Sequence, residues 1–391
     1  MACGILGGVA AWVPVLFLWG YDAGVVKEDM RRDPTNRRVT RPSTDSLCRY
    51  FEPCGSPCIE RVAKYVQRYH DRYVSDSRVV LFDVEADAEG NEAVLSGVVG
   101  LASLKDGLIH ALSALGFPPN AENLKVAPLS EMECYGLAIV PHTFVFETPT
   151  EPFDRVDQLL FGEPVLLTGL ERDGFIHVQG PVGYLGWVRD SDVRVIDRTT
   201  WRFWHREERI VIDRETQLGS TRVSPGVELP VRDGKVVLPD QSTVPIPEGT
   251  RPYDFACAQR RRQEVTAIAE NMLGTEYFWA GRHTEGTDCS GLVQVVYGAA
   301  GVYLPRDADQ QHLCGRISGT PGWLEDIAPG DLLFFSGSMG NITHVGISLG
   351  GPKFIHAKRD KGVVRSSLDP DSDDYDDWLD KAFLIAKRII R

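Results

Sequence analysis

Gly286-Thr287-Asp288-Cys289-Ser290-Gly291-Leu292-Val293 is where a polar, turn-rich segment gives way to an apolar run, Leu292, Val293, Val295, Val296 and Tyr297. The spacing predicts a buried helix face with Cys289 at the helix N-terminus. Backbone N–H groups and the positive end of the helix dipole there favour a thiolate over a thiol of ordinary pKa about 8.5. A nucleophilic cysteine needs a base. Thr343-His344-Val345-Gly346-Ile347 and Phe354-Ile355-His356-Ala357 supply two histidines on strand-like stretches. The expectation is Cys289 as nucleophile, His344 as base and His356 as the group that orients it. The competing readings are a buried structural cysteine and core histidines.

The chain of 391 residues is long enough for several domains with separate cores. A net charge of −13 implies no basic surface and argues against nucleic acid as a partner. The cysteines are scattered, and only Cys48, Cys54 and Cys58 cluster. With no histidine or further cysteine near enough to complete a zinc set, that cluster reads as a local disulfide or free thiols. Residues 2–20 are uncharged and nearly the length of a bilayer span, so residues 1–28 suit a membrane anchor or signal segment. A start at Met30 is the alternative. The first reading anchors the protein in a membrane or exports it; the second makes it cytoplasmic.

Working outward, residues 29–75 read as an exposed linker followed by a helix whose Val62, Tyr65, Val66 and Tyr69 share a face. Residues 76–130 read as a small α/β unit, two strands around Gly90-Asn91 and a Leu-rich helix from Leu101 to Leu115. From 137 to 200 short strands alternate with turns: Phe144-Val145-Phe146, Pro164-Val165-Leu166-Leu167, Phe175-Ile176-His177-Val178 and Gly186-Trp187-Val188. Such spacing suggests a small barrel, and residues 201–252 read as a second, diverged copy. Trp201, Phe203 and Trp204 between them read as interface packing. Residues 256–391 open with a helix from about 258 to 273 and continue with the Cys289 helix, both histidine strands and a last strand near Ala382–Ile390. This is an α+β layout. His283, His312 and Cys314 lie near the motifs and read as packing or surface residues; the acidic run Asp369–Asp380 reads as a solvated loop.

Four stretches carry a family resemblance: Gly274-Thr275-Glu276-Tyr277-Phe278-Trp279-Ala280-Gly281, Asp288-Cys289-Ser290-Gly291-Leu292, Pro329-Gly330-Asp331-Leu332-Leu333-Phe334-Phe335, and His344-Val345-Gly346-Ile347 with Phe354-Ile355-His356-Ala357. They resemble the NlpC/P60 cell-wall cysteine peptidases, of papain-like α+β fold. The preceding segments are similar to two bacterial SH3 domains, and residues 76–130 to a BON domain. This combination resembles the γ-D-glutamyl-L-diamino acid endopeptidases that trim muropeptides.

The resemblance implies Cys289, His344 and His356 as the catalytic set and Tyr277 as an oxyanion donor, with no cofactor and no metal. It implies that Asp288 and Tyr184, with an acidic residue of the first SH3-like module (Glu151, or else Glu147), contact the free amine of an N-terminal L-alanine. Ser290, Trp279, Arg306 and Asp307 complete the implied substrate-binding set. One departure stands out: Pro305-Arg306-Asp307-Ala308 has alanine where the family commonly has serine. The implied partners are peptidoglycan peptides, L-Ala-γ-D-Glu-diamino acid. Two rivals remain: a D,L-endopeptidase on intact peptidoglycan, and a wall-binding scaffold without turnover.

Overall fold

The computed structural model describes residues 49–391 apart from Cys54, Asn91, Glu131, 151–153, Glu207, Gly249, 253–257, 338–339 and Arg391. The apolar segment 2–20, Cys48, Cys54 and Glu151 therefore lie outside the described residues. Among those described, no helix is long and apolar enough to cross a membrane. The chain divides into two compact units: residues up to Cys134 with Leu167–Leu170, and Tyr135–Leu166 with Glu171–Arg391.

In the first unit, helix α1 (Val62–Tyr73) buries Val62, Tyr65, Val66 and Tyr69, the face its spacing predicts. Strands β1 (Phe82–Glu89) and β2 (Glu92–Val99) form an antiparallel hairpin. Helix α2 (Ala102–Ala114) then crosses over to β3 (Pro119–Val126), which pairs parallel to β2. A parallel neighbour needs such a crossover. The core gathers Leu95, Val99, Leu108, Leu112 and Leu124 around the tyrosines of α1. The sequence reading does not contain β3: Pro-Asn-Ala-Glu-Asn-Leu-Lys-Val is polar because it is an edge strand, and only Leu124 in it is buried.

The second unit opens with a seven-stranded sheet in the order β10-β4-β7-β8-β9-β5-β6. Its strands are β4 (Tyr135–Ala138), β5 (His142–Phe146), β6 (Arg155–Leu160), β7 (Pro164–Arg172), β8 (Phe175–Gln179), β9 (Leu185–Arg189) and β10 (Val193–Ile196). Strand β6, Arg-Val-Asp-Gln-Leu-Leu, is absent from the sequence reading because its Asp157 and Gln158 are buried polar groups that break the expected alternation. Helix α3 (Arg198–Arg206) buries Trp201 and Trp204, and Trp204 Nε1 donates to the Gly162 carbonyl at 2.8 Å. These tryptophans fill a core shared by Leu137, Leu160, Ile210, Leu229 and Val236. The following sheet, β16-β15-β14-β11-β17, uses β11 (Arg209–Val211), β14 (Glu228–Arg232), β15 (Lys235–Val237), β16 (Thr243–Pro245) and β17 (Arg251–Pro252), with the hairpin β12 (Thr216–Leu218) and β13 (Thr221–Val223) beside it in sequence.

The C-terminal part begins with α4 (Ala258–Asn271), a short hairpin β18 (Arg282–His283) and β19 (Gly286–Thr287), and α5 (Cys289–Ala299). Helix α5 is buried from Cys289 to Gly298, as an apolar helix inside a larger core should be. After α6 (Ala308–Gln311) comes a six-stranded sheet in the order β20-β25-β21-β22-β23-β24. It comprises β20 (Arg316–Gly319), β21 (Leu332–Ser336), β22 (Ile342–Gly350), β23 (Lys353–Lys358), β24 (Gly362–Ser367) and β25 (Phe383–Arg388). Val345, Ile347, Ile355 and Ala357 share one core with Val265 and Ile268 of α4 and Leu292, Val293 and Val296 of α5. That packing sets the Cys289 helix against the two histidine strands. The acidic run is not wholly loop: Asp376 caps α7 (Asp377–Ala382) through the Leu379 N–H at 3.2 Å and pairs with Lys358 at 2.5 Å.

Candidate active site

Cys289 is the first residue of α5 and Asp288 its N-cap. Asp288 Oδ1 accepts the Gly291 N–H at 2.7 Å, which satisfies one of the free donors at the helix start. The segment before the helix is tied down by backbone bonds: Thr287 N–H to the Glu276 carbonyl and Phe278 N–H to the Thr287 carbonyl, at 3.0 and 3.1 Å. These carry Tyr277 alongside Cys289 and within reach of the Asp288 charge. Burial above all, with the Asp288 charge nearby, pushes that hydroxyl up to about 12, so it stays protonated and able to donate.

The expected thiolate is not what the structure favours at rest. Cys289 is 9% exposed, and burial, then the Asp288 charge, pushes its thiol up to about 12. The Val345 and Ser290 backbone N–H groups and Arg306 pull the other way but do not overcome burial. The Val345 N–H beside the sulfur belongs to the residue after His344. The His344 ring is pushed down to about 4, chiefly by desolvation and then by Lys358. The resting site is therefore a neutral thiol beside a neutral imidazole.

His344 Nε2 and His356 Nδ1 lie 2.7 Å apart across β22 and β23, and His356 Nε2 lies 3.0 Å from Ser366 Oγ on β24. His356 is fully buried, and desolvation, with His344 next, holds it well below its ordinary pKa. With both rings neutral, two hydrogen-bond chains satisfy these contacts, and the one that serves a base has His344 Nε2–H donating to His356 and His356 Nε2–H donating to Ser366. This leaves the His344 Nδ1 lone pair to take a proton. Ser366 had no sequence signal, since β24 itself is not in the sequence reading.

Several expected substrate contacts prove to be occupied within the protein. Arg306 is 1% exposed: Nη1 donates to Asp288 Oδ1 at 3.1 Å and Ser290 Oγ at 2.8 Å, and Nη2 to Asp288 Oδ2 at 2.7 Å. Asp288 Oδ2 also accepts the Ala280 N–H at 2.9 Å. Arg306 thus holds the helix cap rather than facing ligand. Asp307 caps α6 in a capping box with Gln310, and it accepts the Tyr184 hydroxyl at 3.1 Å. Tyr184, 7% exposed, immediately precedes β9. Trp279 is the exposed member of the set, 61% open, its indole N–H donating to the Arg155 carbonyl at 3.1 Å. Ala308 is buried in the core, and Glu147 is exposed.

Residues that the sequence reading missed tie the seven-stranded sheet to this site. Asp157 on β6, 1% exposed, lies 2.8 Å from Arg306 Nε and 3.5 Å from Arg282 Nε. Arg282 also pairs with Glu163, and its backbone N–H and Nε reach the side chain and carbonyl of Gln158 at 2.7 and 2.6 Å. A polar pair followed by Leu159-Leu160-Phe161 was the available signal, because buried polar groups in a strand need partners.

A cysteine on a buried helix start, facing histidines on an antiparallel sheet, defines a papain-like peptidase arrangement. The NlpC/P60 family model matches residues 274–378. The chain is 44% identical over 118 residues to the probable endopeptidase NlpC of Escherichia coli, covering 28% of this chain and 74% of that protein. It is 41% identical over 120 residues to the γ-DL-glutamyl hydrolase of Bacillus subtilis, 30% of this chain but only 27% of that protein. To the γ-D-glutamyl-L-lysine dipeptidyl-peptidase of B. subtilis it is 29% identical over 227 residues, 52% of this chain and 72% of that one. A crystal structure of a Bacillus cereus NlpC/P60 family protein superimposes with a TM-score of 0.54 at 19% identity, covering 66% of this chain and all of the other, a likeness of fold. The chain belongs to the NlpC/P60 family.

Proposed function

We propose that the protein is a cysteine peptidase that hydrolyses the γ-D-glutamyl-L-diamino acid bond of peptidoglycan-derived peptides carrying a free N-terminal L-alanine. Cys289 Sγ attacks the γ-amide carbonyl as His344 Nδ1 takes the thiol proton; His356, backed by Ser366, holds the His344 ring. The Cys289 backbone N–H and Tyr277 stabilise the oxyanion. The C–N bond breaks as His344 returns the proton to the leaving amine, and water then hydrolyses the thioester. Residues 137–200 and 201–252 serve as SH3-like modules, and the N-terminal unit as a BON-like spacer.

The observation that carries the specificity is the polar network joining β6 and the turn after it to the nucleophile's own helix cap. Its carboxylates, Asp157, Glu163 and Asp288, interleave with the guanidiniums of Arg282 and Arg306, and burial pushes the Glu163 carboxyl up. Carboxylates set beside the nucleophile favour an ammonium over an amide at that end of the groove. The Tyr184–Asp307 bond gives the same sheet a place in the site. The alignment with the γ-D-glutamyl-L-lysine dipeptidyl-peptidase supports this, because it runs well beyond the 118 residues shared with the E. coli endopeptidase. A D,L-endopeptidase acting on intact peptidoglycan is the second reading, favoured by the higher identities of the catalytic part to the endopeptidase and the γ-DL-glutamyl hydrolase.

The test is product mass spectrometry on L-Ala-γ-D-Glu-diaminopimelate with free and N-acetylated termini. Cleavage should require the free amine and vanish in Cys289→Ala. Equal rates on both substrates would point to the second reading, and cleavage surviving in Cys289→Ala would refute the cysteine mechanism.

A further inference from the structure

Away from the nucleophile, the β18–β19 hairpin carries a second cluster that the peptidase chemistry does not use. His283 ends β18, and Thr284 and Glu285 make the turn. The His283 ring, 6% exposed, stacks on His142 of β5 with centroids 3.9 Å apart and planes 11° from parallel. His142 is half-buried in the seven-stranded sheet, where it pairs with Leu160 of β6. Glu285 supplies a carboxylate, and one ligand atom from each of His142, His283 and Glu285 lies within 4.8 Å of the others. Among the described residues this is the set of histidine, cysteine and carboxylate groups brought close enough to share an ion.

We propose that His142, His283 and Glu285 form a site for a borderline divalent cation of the zinc class, which pins the hairpin leading into Asp288-Cys289 to strand β5. The donor set decides the class. Two imidazoles and one carboxylate suit zinc, cobalt or nickel, whereas calcium and magnesium seek all-oxygen cages. Bond lengths of about 2.0–2.2 Å would bring the ligand atoms to roughly 3.3 Å from one another. Imidazole lone pairs lie in the ring planes, so the near-parallel rings turn apart until both converge on the ion, and Glu285, which is exposed, swings in beside them. The Glu285 backbone N–H donates to His283 Nδ1 at 3.1 Å and fixes how that ring lies; coordination through Nδ1 exchanges this bond for one to the metal. The remaining coordination positions face the exposed side of Glu285 and take water. The site shares no residue with Cys289, His344 and His356, and its role is to hold the hairpin rather than to activate a nucleophile.

Zinc titration of the untagged, chelator-stripped full chain tests this by calorimetry and thermal melting. One equivalent should bind, and the melting temperature should rise with zinc concentration. Binding should persist in Cys289→Ala and be at least about tenfold weaker in His142→Ala and Glu285→Gln. Glu285 is exposed, so Glu285→Gln should melt like the parent chain in chelator and serve as the folded control. Cobalt substitution should give visible bands without a thiolate charge-transfer band. Absence of uptake, uptake lost in Cys289→Ala, or uptake unchanged in both His142→Ala and Glu285→Gln would each overturn the site.

Discussion

Cys289 carries two opposed influences, a helix N-terminus that favours the thiolate and a buried setting that favours the thiol. The sequence displays only the first, because helix position is local and burial is not. With the thiol pushed up to about 12 and His344 held near 4, an ion pair is not the resting state. Below its pKa a thiol gains about tenfold in thiolate per pH unit, so alkylation of Cys289 by iodoacetamide should climb through pH 7–10 in that manner. A rate already level from pH 6 upward would show a preformed thiolate–imidazolium pair instead. Arg306 gives the same lesson at another residue. It was expected to meet substrate, yet a guanidinium 1% exposed must be paired from within, and Asp288, Ser290 and Asp157 pair it. Its role is to set the carboxylate that caps the nucleophile's helix.

The helix α5 and the hairpin before it form the element on which the site depends. Gly291, on the first turn of α5, is where backbone meets backbone: a Cβ there would stand 2.0 Å from the Gly281 carbonyl oxygen. Backbone cannot move aside as a side-chain tip can, so Gly291→Ala should destabilise the protein by about 2–4 kcal/mol and displace the Asp288 cap. Urea unfolding and the cleavage rate measure the two effects; a fully stable, fully active variant would contradict the close approach. Elements whose apolar residues recur at helical or strand spacing were legible: α1, α2, α4 and α5, β5, β8, β9 and the histidine strands. Those whose burial is polar or slight were not, among them β3, β6, β20 and β24. Hydrophobic periodicity reports on elements whose buried positions are all apolar, whereas β6, β20 and β24 fill theirs partly with Asp157, Gln158, Ser318, Ser366 and Ser367, and β3 buries Leu124 alone.

At the scale of the second unit, His177, His205, His283, His344 and His356 are all held below their ordinary pKa by burial, the first four to about 4. The unfolded chain would titrate them near 6.5, so as pH falls from 6.5 toward 4 it binds protons that the folded chain refuses. Stability is therefore full above about pH 6.5 and drains as pH falls toward 4, by about 1.4 kcal/mol per pH unit for each such histidine. Thermal melts between pH 7.5 and 4.5 should show a steep acid decline; a flat profile would mean that these rings are not buried neutral.

Local pattern alone determined the helix that starts at Cys289, the two histidine strands, the family and the succession of short strands before the peptidase part. Those features depend on residues within a few positions of one another, where turn chemistry, capping and periodicity operate. Tertiary structure decided the rest. Asp157 meets Arg306, Glu163 meets Arg282, Ser366 completes the histidine chain and His142 stacks on His283, in each case from a separate strand or loop. Charge pairing and burial depend on which surfaces come together in space, and no spacing along the chain encodes that. For the same reason Gly286-Thr287-Asp288-Cys289-Ser290-Gly291 announces a reactive cysteine, while only the packed protein sets the protonation from which it begins.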